Sequence, residues 1–170
     1  MSKNNIPMIR QVNWFAVTLQ MTFMGILIVI YYLLNIATPI LWASLTYLIL
    51  SYGLESFFTK DHKKGIKLIK SNNYLDAISS FEKSVTYFQT NQWIDKYRFL
   101  TLLSSSKLSY IEMDLNNIAF CYAQIGNGNK AKHYYQKILN EFPNSNLAKM
   151  ALNMLQSGQN IEENSVTGNL

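Results

Sequence analysis

The feature that most constrains this chain is a long stretch without charge. Residues 11–54 carry no charged side chain, although charged residues make up 15% of the chain and its net charge is +5. A single membrane-crossing helix needs roughly 20 residues, and the apolar run at 12–58 is about twice that length. Turn-forming residues at 35–39 interrupt it near the middle. The run therefore predicts two helices joined by a tight turn.

The charges on either side favour a hairpin that crosses a membrane twice. Lys3 and Arg10 precede the stretch, and five lysines follow it between Lys60 and Lys70. Positive flanks stay on the cytoplasm-equivalent side, and a hairpin places both clusters there, whereas a single span would not. We predict an N-terminal tail at 1–11 and a transmembrane hairpin at 12–58, with spans at about 14–34 and 40–58.

Two other interpretations of this stretch are a cleavable signal peptide and a buried hairpin of a soluble protein. The run exceeds the ~7–15 residue core of a signal peptide and ends at no small-residue cleavage site. The absence of charge disfavours a soluble core. Gln20, inside the first span, is a candidate to hydrogen-bond across to the second. The lysine cluster is interpreted as a solvated helix face and topology signal, with attraction of anionic lipid headgroups as the other interpretation, and His62 as a surface polar residue.

The rest of the chain contains an internal repeat, in residues 65–85 and 119–139. In each copy a helical stripe leads to a polar turn and then to a second stripe. Neither pair of helices can bury its apolar face alone, so the copies are expected to stack. The matching positions are Gly65 with Ala119, Leu68 with Tyr122, Asn72-Asn73 with Gly126-Asn127, Ala77 with Ala131, Phe81 with Tyr135, and Val85 with Leu139.

This pattern resembles the tetratricopeptide repeat, which has a small residue and an aromatic residue on its first helix, a glycine turn, then alanine and an aromatic residue on its second helix, and a closing proline. The second copy, about 112–145, carries Ala119, Tyr122, Gly126, Ala131, Tyr135 and Pro143. The first copy, about 58–91, keeps Gly65, Tyr74, Ala77 and Phe81 but has Gln89 at the proline position. The resemblance implies an all-α chain in which the hairpin precedes a short tetratricopeptide-like domain at 59–156.

Three further segments complete this domain organisation. An insert at 92–111, helical at first, separates the two copies and either lengthens the preceding helix or forms a helix of its own. A capping helix at 146–156, begun by Asn146, is expected to cover the second repeat. Its predicted apolar face consists of Leu147, Met150, Ala151 and either Met154 or Leu155. The polar residues 157–170 predict a disordered tail.

The sequence contains no constellation that indicates catalysis. The single cysteine, Cys121, lies between apolar helical positions, and the two histidines, His62 and His133, are far apart. The Gly126/Gly128 pair lacks the residues of a phosphate-binding loop. We predict that the protein is not an enzyme, with no catalytic, metal or cofactor site and no small-molecule substrate. Nucleic-acid binding is also not expected, because most lysines cluster at the end of the hairpin.

Protein binding is the remaining class of function. In tetratricopeptide arrays the first helix of each repeat lines a groove that holds a peptide or a helix. By that resemblance the groove of the second repeat would contain Met113, Asn116, Phe120, Ala123 and Gln124. These side chains are apolar or carry amides, so we expect an apolar or helical segment of another protein as ligand.

The run from Trp93 through Tyr97 and Arg98 to NIAFCYAQIGNGNKAKHYYQKILNEFPNSNLAK is similar to one tetratricopeptide family. It is the family of cyanobacteria and algal plastids known as hypothetical chloroplast reading frame thirty-seven. The resemblance implies an assembly or stabilisation factor for photosystem I, located in the plastid thylakoid membrane with its repeats on the stromal side. Its expected partners are photosystem I subunits or other assembly factors, and membrane lipids. The alternative is a bacterial membrane-anchored adaptor of another membrane or secretion complex.

Overall fold

The computed structural model describes the backbone of residues 13–167 and the side chains of residues 13–158. This part of the chain contains helices and no strand, which confirms the all-α prediction. The predicted N-terminal tail, with Lys3 and Arg10, lies outside it. The helices are α1 (Trp14–Leu33), α2 (Pro39–Phe58), α3 (Lys60–Lys70), α4 (Tyr74–Thr90), α5 (Gln92–Lys96), α6 (Arg98–Thr101), α7 (Tyr110–Gln124), α8 (Gly128–Glu141) and α9 (Asn146–Thr167).

The apolar hairpin consists of α1 and α2, each of which differs by one residue at the turn from the predicted spans 14–34 and 40–58. Helix α1 ends where Asn35 takes a left-handed backbone conformation, with φ of +53°. The N–H of Asn35 donates to Tyr32 O and that of Ile36 to Tyr31 O, at 3.0 and 3.2 Å. These two bonds form a Schellman motif, and asparagine is one of the few residues that accept its left-handed position at low cost. Pro39 then begins α2, where the missing N–H of proline loses no helical bond.

Both helices of the hairpin are 20 residues long and apolar enough to cross a membrane. Only 6% of each apolar segment is buried, whereas the core helix of a soluble protein is mostly buried. Across the hairpin, the hydroxyls of Tyr31 and Thr46 lie 2.7 Å apart. The expected bond from Gln20 is not formed, because its buried Nε2 has no partner among the described residues.

The two repeats have the same turn geometry. Asn72 and Gly126 both have positive φ, +59° and +77°. The next residue in each copy closes a Schellman motif, Asn73 N–H to Leu68 O and Asn127 N–H to Tyr122 O, both at 2.9 Å. The side chains of Asn73 and Asn127 then cap the following helix by accepting from the backbone N–H three residues on. Identical bonds at matching positions show that the internal repeat is structural.

Close packing inside the first repeat depends on a glycine. A Cβ added to Gly65 on α3 would lie 2.6 Å from the Phe81 ring on α4. Phe81 is fully buried, as is Ala77 one turn before it. In the second repeat the equivalent positions are Ala119 and Tyr135, which are also buried. A small residue on the first helix therefore makes room for the aromatic ring of the second helix.

The chain divides into two compact units, and the insert does not group with the repeats. One unit contains the hairpin and residues 90–109, and the other contains 61–89 and the residues from 110 onward. The insert itself forms two short helices, α5 and α6, and the first two residues of α7. The insert lies against the start of α1 because of one backbone hydrogen bond and one ring contact. The helical periodicity of the sequence does not predict these contacts.

Helix α9 differs from the predicted capping helix in length and in its buried face. It packs against α8 and continues to Thr167, through most of the segment for which disorder was predicted. Its fully buried residue is Ala148, whereas Met150 and Met154 are exposed. The prediction for this face is therefore correct for Leu147, Ala151 and Leu155, which are half-buried, and wrong for Met150 and Met154.

Candidate protein-binding surface

The five residues predicted to line the groove all lie on α7, but they differ in accessibility. Gln124 is exposed and Asn116 is buried, with 6% exposure. The other three are half-buried: Met113, Phe120 and Ala123. The accessible part of the predicted groove is therefore an apolar strip that ends at the Gln124 amide.

Asn116 is the polar residue at the base of this strip. Its Nδ2 donates to Glu112 O at 2.8 Å, an i to i−4 bond along the same helix. Its Oδ1 is buried and accepts no hydrogen bond from the described residues. A buried acceptor without a donor costs about 1–3 kcal/mol, and an N–H of a bound segment would remove that cost.

The first repeat contributes to the same surface. The Phe120 ring meets Tyr74 edge-on, with centroids 6.4 Å apart. Tyr74 begins α4 and its hydroxyl donates to Asn72 Oδ1 at 3.0 Å. The turn of the first repeat thus holds the Tyr74 ring against Phe120 of the second repeat. The apolar strip on α7 is therefore bordered by a side chain of the first repeat.

Beside this strip, a His–Asp pair joins the first helices of the two repeats. His62 Nδ1 lies 2.5 Å from Asp114 Oδ1, and the side-chain exposures are 16% and 0%. The His62 ring also meets Phe81 and Tyr110 edge-on, and Tyr110 stacks on Phe88. The prediction of His62 as a surface residue is wrong, because its side chain is half-buried and hydrogen-bonded to Asp114. The sequence did not indicate this contact, since the two residues are 52 positions apart.

The second helices of the repeats are linked by a tyrosine. Tyr134 on α8 donates its hydroxyl to Glu82 on α4 at 3.3 Å and stacks on Tyr122. Burial, followed by the charge of Glu82, raises the Tyr134 pKa to about 12. The hydroxyl therefore stays a neutral donor throughout the physiological range. With the His62 pair, this bond ties the two repeats together on both layers of the stack.

The buried thiol has no nucleophilic character. Cys121 is fully buried on α7, and burial raises its pKa from 9.0 to about 12. Because the thiolate is the reactive form, this side chain is a small apolar group of the core at neutral pH. Within the described residues, no group of three or more His, Cys, Asp or Glu side chains is placed to hold a metal ion.

Comparisons with protein-family models, curated proteins and solved structures find no match to this chain. The surface on α7 is therefore described from its own residues and contacts alone. It combines half-buried apolar side chains, one buried acceptor without a donor and a terminal exposed amide. Such a surface suits a segment that brings both apolar side chains and an N–H group.

Proposed function

We propose that this protein is a non-catalytic, membrane-anchored scaffold that binds a segment of another protein on α7. The carrying observation is Asn116 Oδ1, a buried acceptor without a donor, between the half-buried Met113 and Phe120. An apolar helix end or an extended segment offers free N–H groups together with apolar side chains. The length and apolar composition of α1 and α2 support the anchor.

We propose further that the partner is a photosystem I subunit or assembly factor, and that the protein resides in the plastid thylakoid with its repeats on the stromal side. The support is the resemblance in residues 93–149 and the positive charge after α2. Thr59 alone separates α2 from α3 along the chain, so the repeats follow the proposed anchor directly in sequence.

Site-specific photocrosslinking in native membranes tests the binding surface. A photoreactive amino acid replaces Gln124 or Met113, and the matched control carries it at Met154, which is 75% exposed on α9. Specific adducts are expected from the α7 positions and are expected to be weakened by Phe120→Ala. Equal adducts from all three positions, or none from α7, would contradict the proposed surface.

The identity of the adduct tests the finer proposal. Photosystem I subunits or assembly factors are expected, together with reduced photosystem I accumulation when the gene is deleted. A subunit of a secretion or envelope complex would instead indicate a bacterial adaptor. Carbonate extraction and protease protection test the anchor independently, since a peripheral protein is released by carbonate whereas a transmembrane hairpin is retained.

A further inference from the structure

Helices α5 and α6 are fixed to the beginning of the first apolar helix. Asn13, which caps α1, donates its backbone N–H to Ser105 O at 2.9 Å. Two residues further, Phe15 on α1 meets Phe99 on α6 edge-on, with centroids 6.1 Å apart. One backbone bond and one ring contact therefore place the two short helices at the end of α1.

Internal bonds make this pair of helices a defined structure. Arg98 donates to three backbone carbonyls, those of Asp95, Ser106 and Lys107, at 2.9, 3.1 and 2.5 Å. The Thr101 hydroxyl donates to Ile94 O at 2.8 Å. Ile94 and Leu102 are almost fully buried and form a small core. The arginine is thus used to fold the segment.

In spite of this core, the segment exposes a large apolar face. Trp93 on α5, Tyr97 between the two helices and Leu100 on α6 are 58%, 46% and 59% exposed. Tyr97 meets Phe99 edge-on at 6.2 Å, and Phe99 contacts Phe15 as described above. A continuous chain of aromatic contacts thus runs from the exposed apolar surface of α1 to this face.

The charges and the residue types of this face fit one occupant. Of the four charged residues between 92 and 109, Asp95 is buried and Arg98 is engaged, which leaves Lys96 and Lys107 exposed. Lys96 Nζ lies 5.7 Å from the centre of the Tyr97 ring. Tryptophan and tyrosine favour the membrane–water boundary, and nearby lysines attract anionic headgroups. The end of a 20-residue apolar span lies at that boundary.

We propose that α5 and α6 form an interfacial platform that rests in the leaflet at the end of α1. Trp93, Tyr97 and Leu100 enter the boundary between headgroups and acyl chains, and Lys96 and Lys107 face anionic headgroups. The proposal rests on α1 and α2 crossing the membrane, but not on the protein that α7 binds. The platform would add a third membrane contact, made by the segment that links the two repeats.

Depth-dependent fluorescence quenching of the full chain in vesicles tests the platform. The double variant Trp14→Phe, Trp42→Phe has Trp93 as its sole tryptophan. The vesicles contain phosphatidylcholine and phosphatidylglycerol that are brominated at shallow acyl positions. Trp93 is expected to lose most of its emission to the brominated lipid and to be protected from aqueous acrylamide. The matched control removes all three tryptophans and adds Leu75→Trp at a 68% exposed site on α4. Its emission is expected to respond to acrylamide alone.

A second reporter separates the platform from the hairpin. Trp14→Phe with Trp93→Phe leaves Trp42, which lies in α2. If brominated lipid quenches Trp42 but not Trp93, the platform is wrong and the anchor stands. If it quenches neither, both are wrong. If Trp93 is shielded from both quenchers while Trp42 is quenched, protein and not lipid covers the face, and the platform is again wrong.

Discussion

His62 Nδ1 and Asp114 Oδ1 form a 2.5 Å hydrogen bond that joins α3 to α7. These are the first helices of the two repeats, so the bond lies across the interface between them. Two repeats bury less than the three or more usually needed for stability. Specific links of this kind, together with the packing of α9 on α8, stabilise the short array in place of a third repeat.

Removing the acidic partner tests this link. Asp114→Ala is expected to lower the free energy of unfolding of the repeats by about 1.5–3 kcal/mol, the range for a hydrogen bond to a charged group. Urea denaturation in detergent, followed by reaction of Cys121 with a thiol reagent, measures it. The control Glu141→Ala, at an exposed position on α8, is expected to change it by less than about 0.5 kcal/mol. Equal effects of the two variants would contradict the role of the pair.

The contact between Gly65 and Phe81 makes a second prediction. Gly65→Ala is expected to destabilise the repeats by about 1–3 kcal/mol, because the new Cβ overlaps a buried ring that cannot withdraw. Adding Phe81→Leu should recover part of this loss. Gly158→Ala is the control, since nothing lies within 4 Å of a Cβ there. Thermal unfolding measures all three variants, and a neutral Gly65→Ala would show that the ring moves freely.

Two glycines of the second turn form a matched pair for a third prediction. Gly126 has φ of +77°, whereas Gly128 begins α8 with no positive φ and with open space where an added Cβ would lie. Gly126→Ala is expected to cost about 1–2 kcal/mol because of the left-handed conformation. Gly128→Ala is expected to be neutral or slightly stabilising. Denaturation midpoints compare them, and the reverse order would exclude the Schellman motif at this turn.

The buried thiol predicts a pH dependence. The Cys121 pKa is about 12 in the folded protein against a usual value of 9.0. Between these values the unfolded chain has lost the proton and the folded chain keeps it, so stability falls as pH rises above about 9. Cys121→Ala removes this contribution, while Tyr134 and Tyr135, whose pKa values are also raised, retain theirs. Unfolding free energies at pH 8–10.5 should therefore fall less steeply in the variant, and parallel curves would contradict the prediction.

The sequence by itself determined the local structure, because the signals that set it lie within a few residues of each other. The absence of charge in 11–54 defined the two apolar helices, and the turn residues at 35–39 defined their boundary almost to the residue. The matching positions of Asn72 and Gly126 defined the repeat, since only residues that tolerate a left-handed backbone close a Schellman motif cheaply. The small residue at 65 already implied its aromatic neighbour.

Only the tertiary structure decided which distant side chains meet. It paired the half-buried His62 with the buried Asp114, covered Asn116 within the predicted groove, buried Ala148 of α9 and grouped the insert with the hairpin. Each of these outcomes depends on packing between segments far apart in the chain, and the periodicity of one helix carries no information about its neighbour. Short helices such as α5 and α6 have too few turns for their sequence periodicity to predict which side is buried. Their position was set by the contacts of Ser105 and Phe99 with the start of α1.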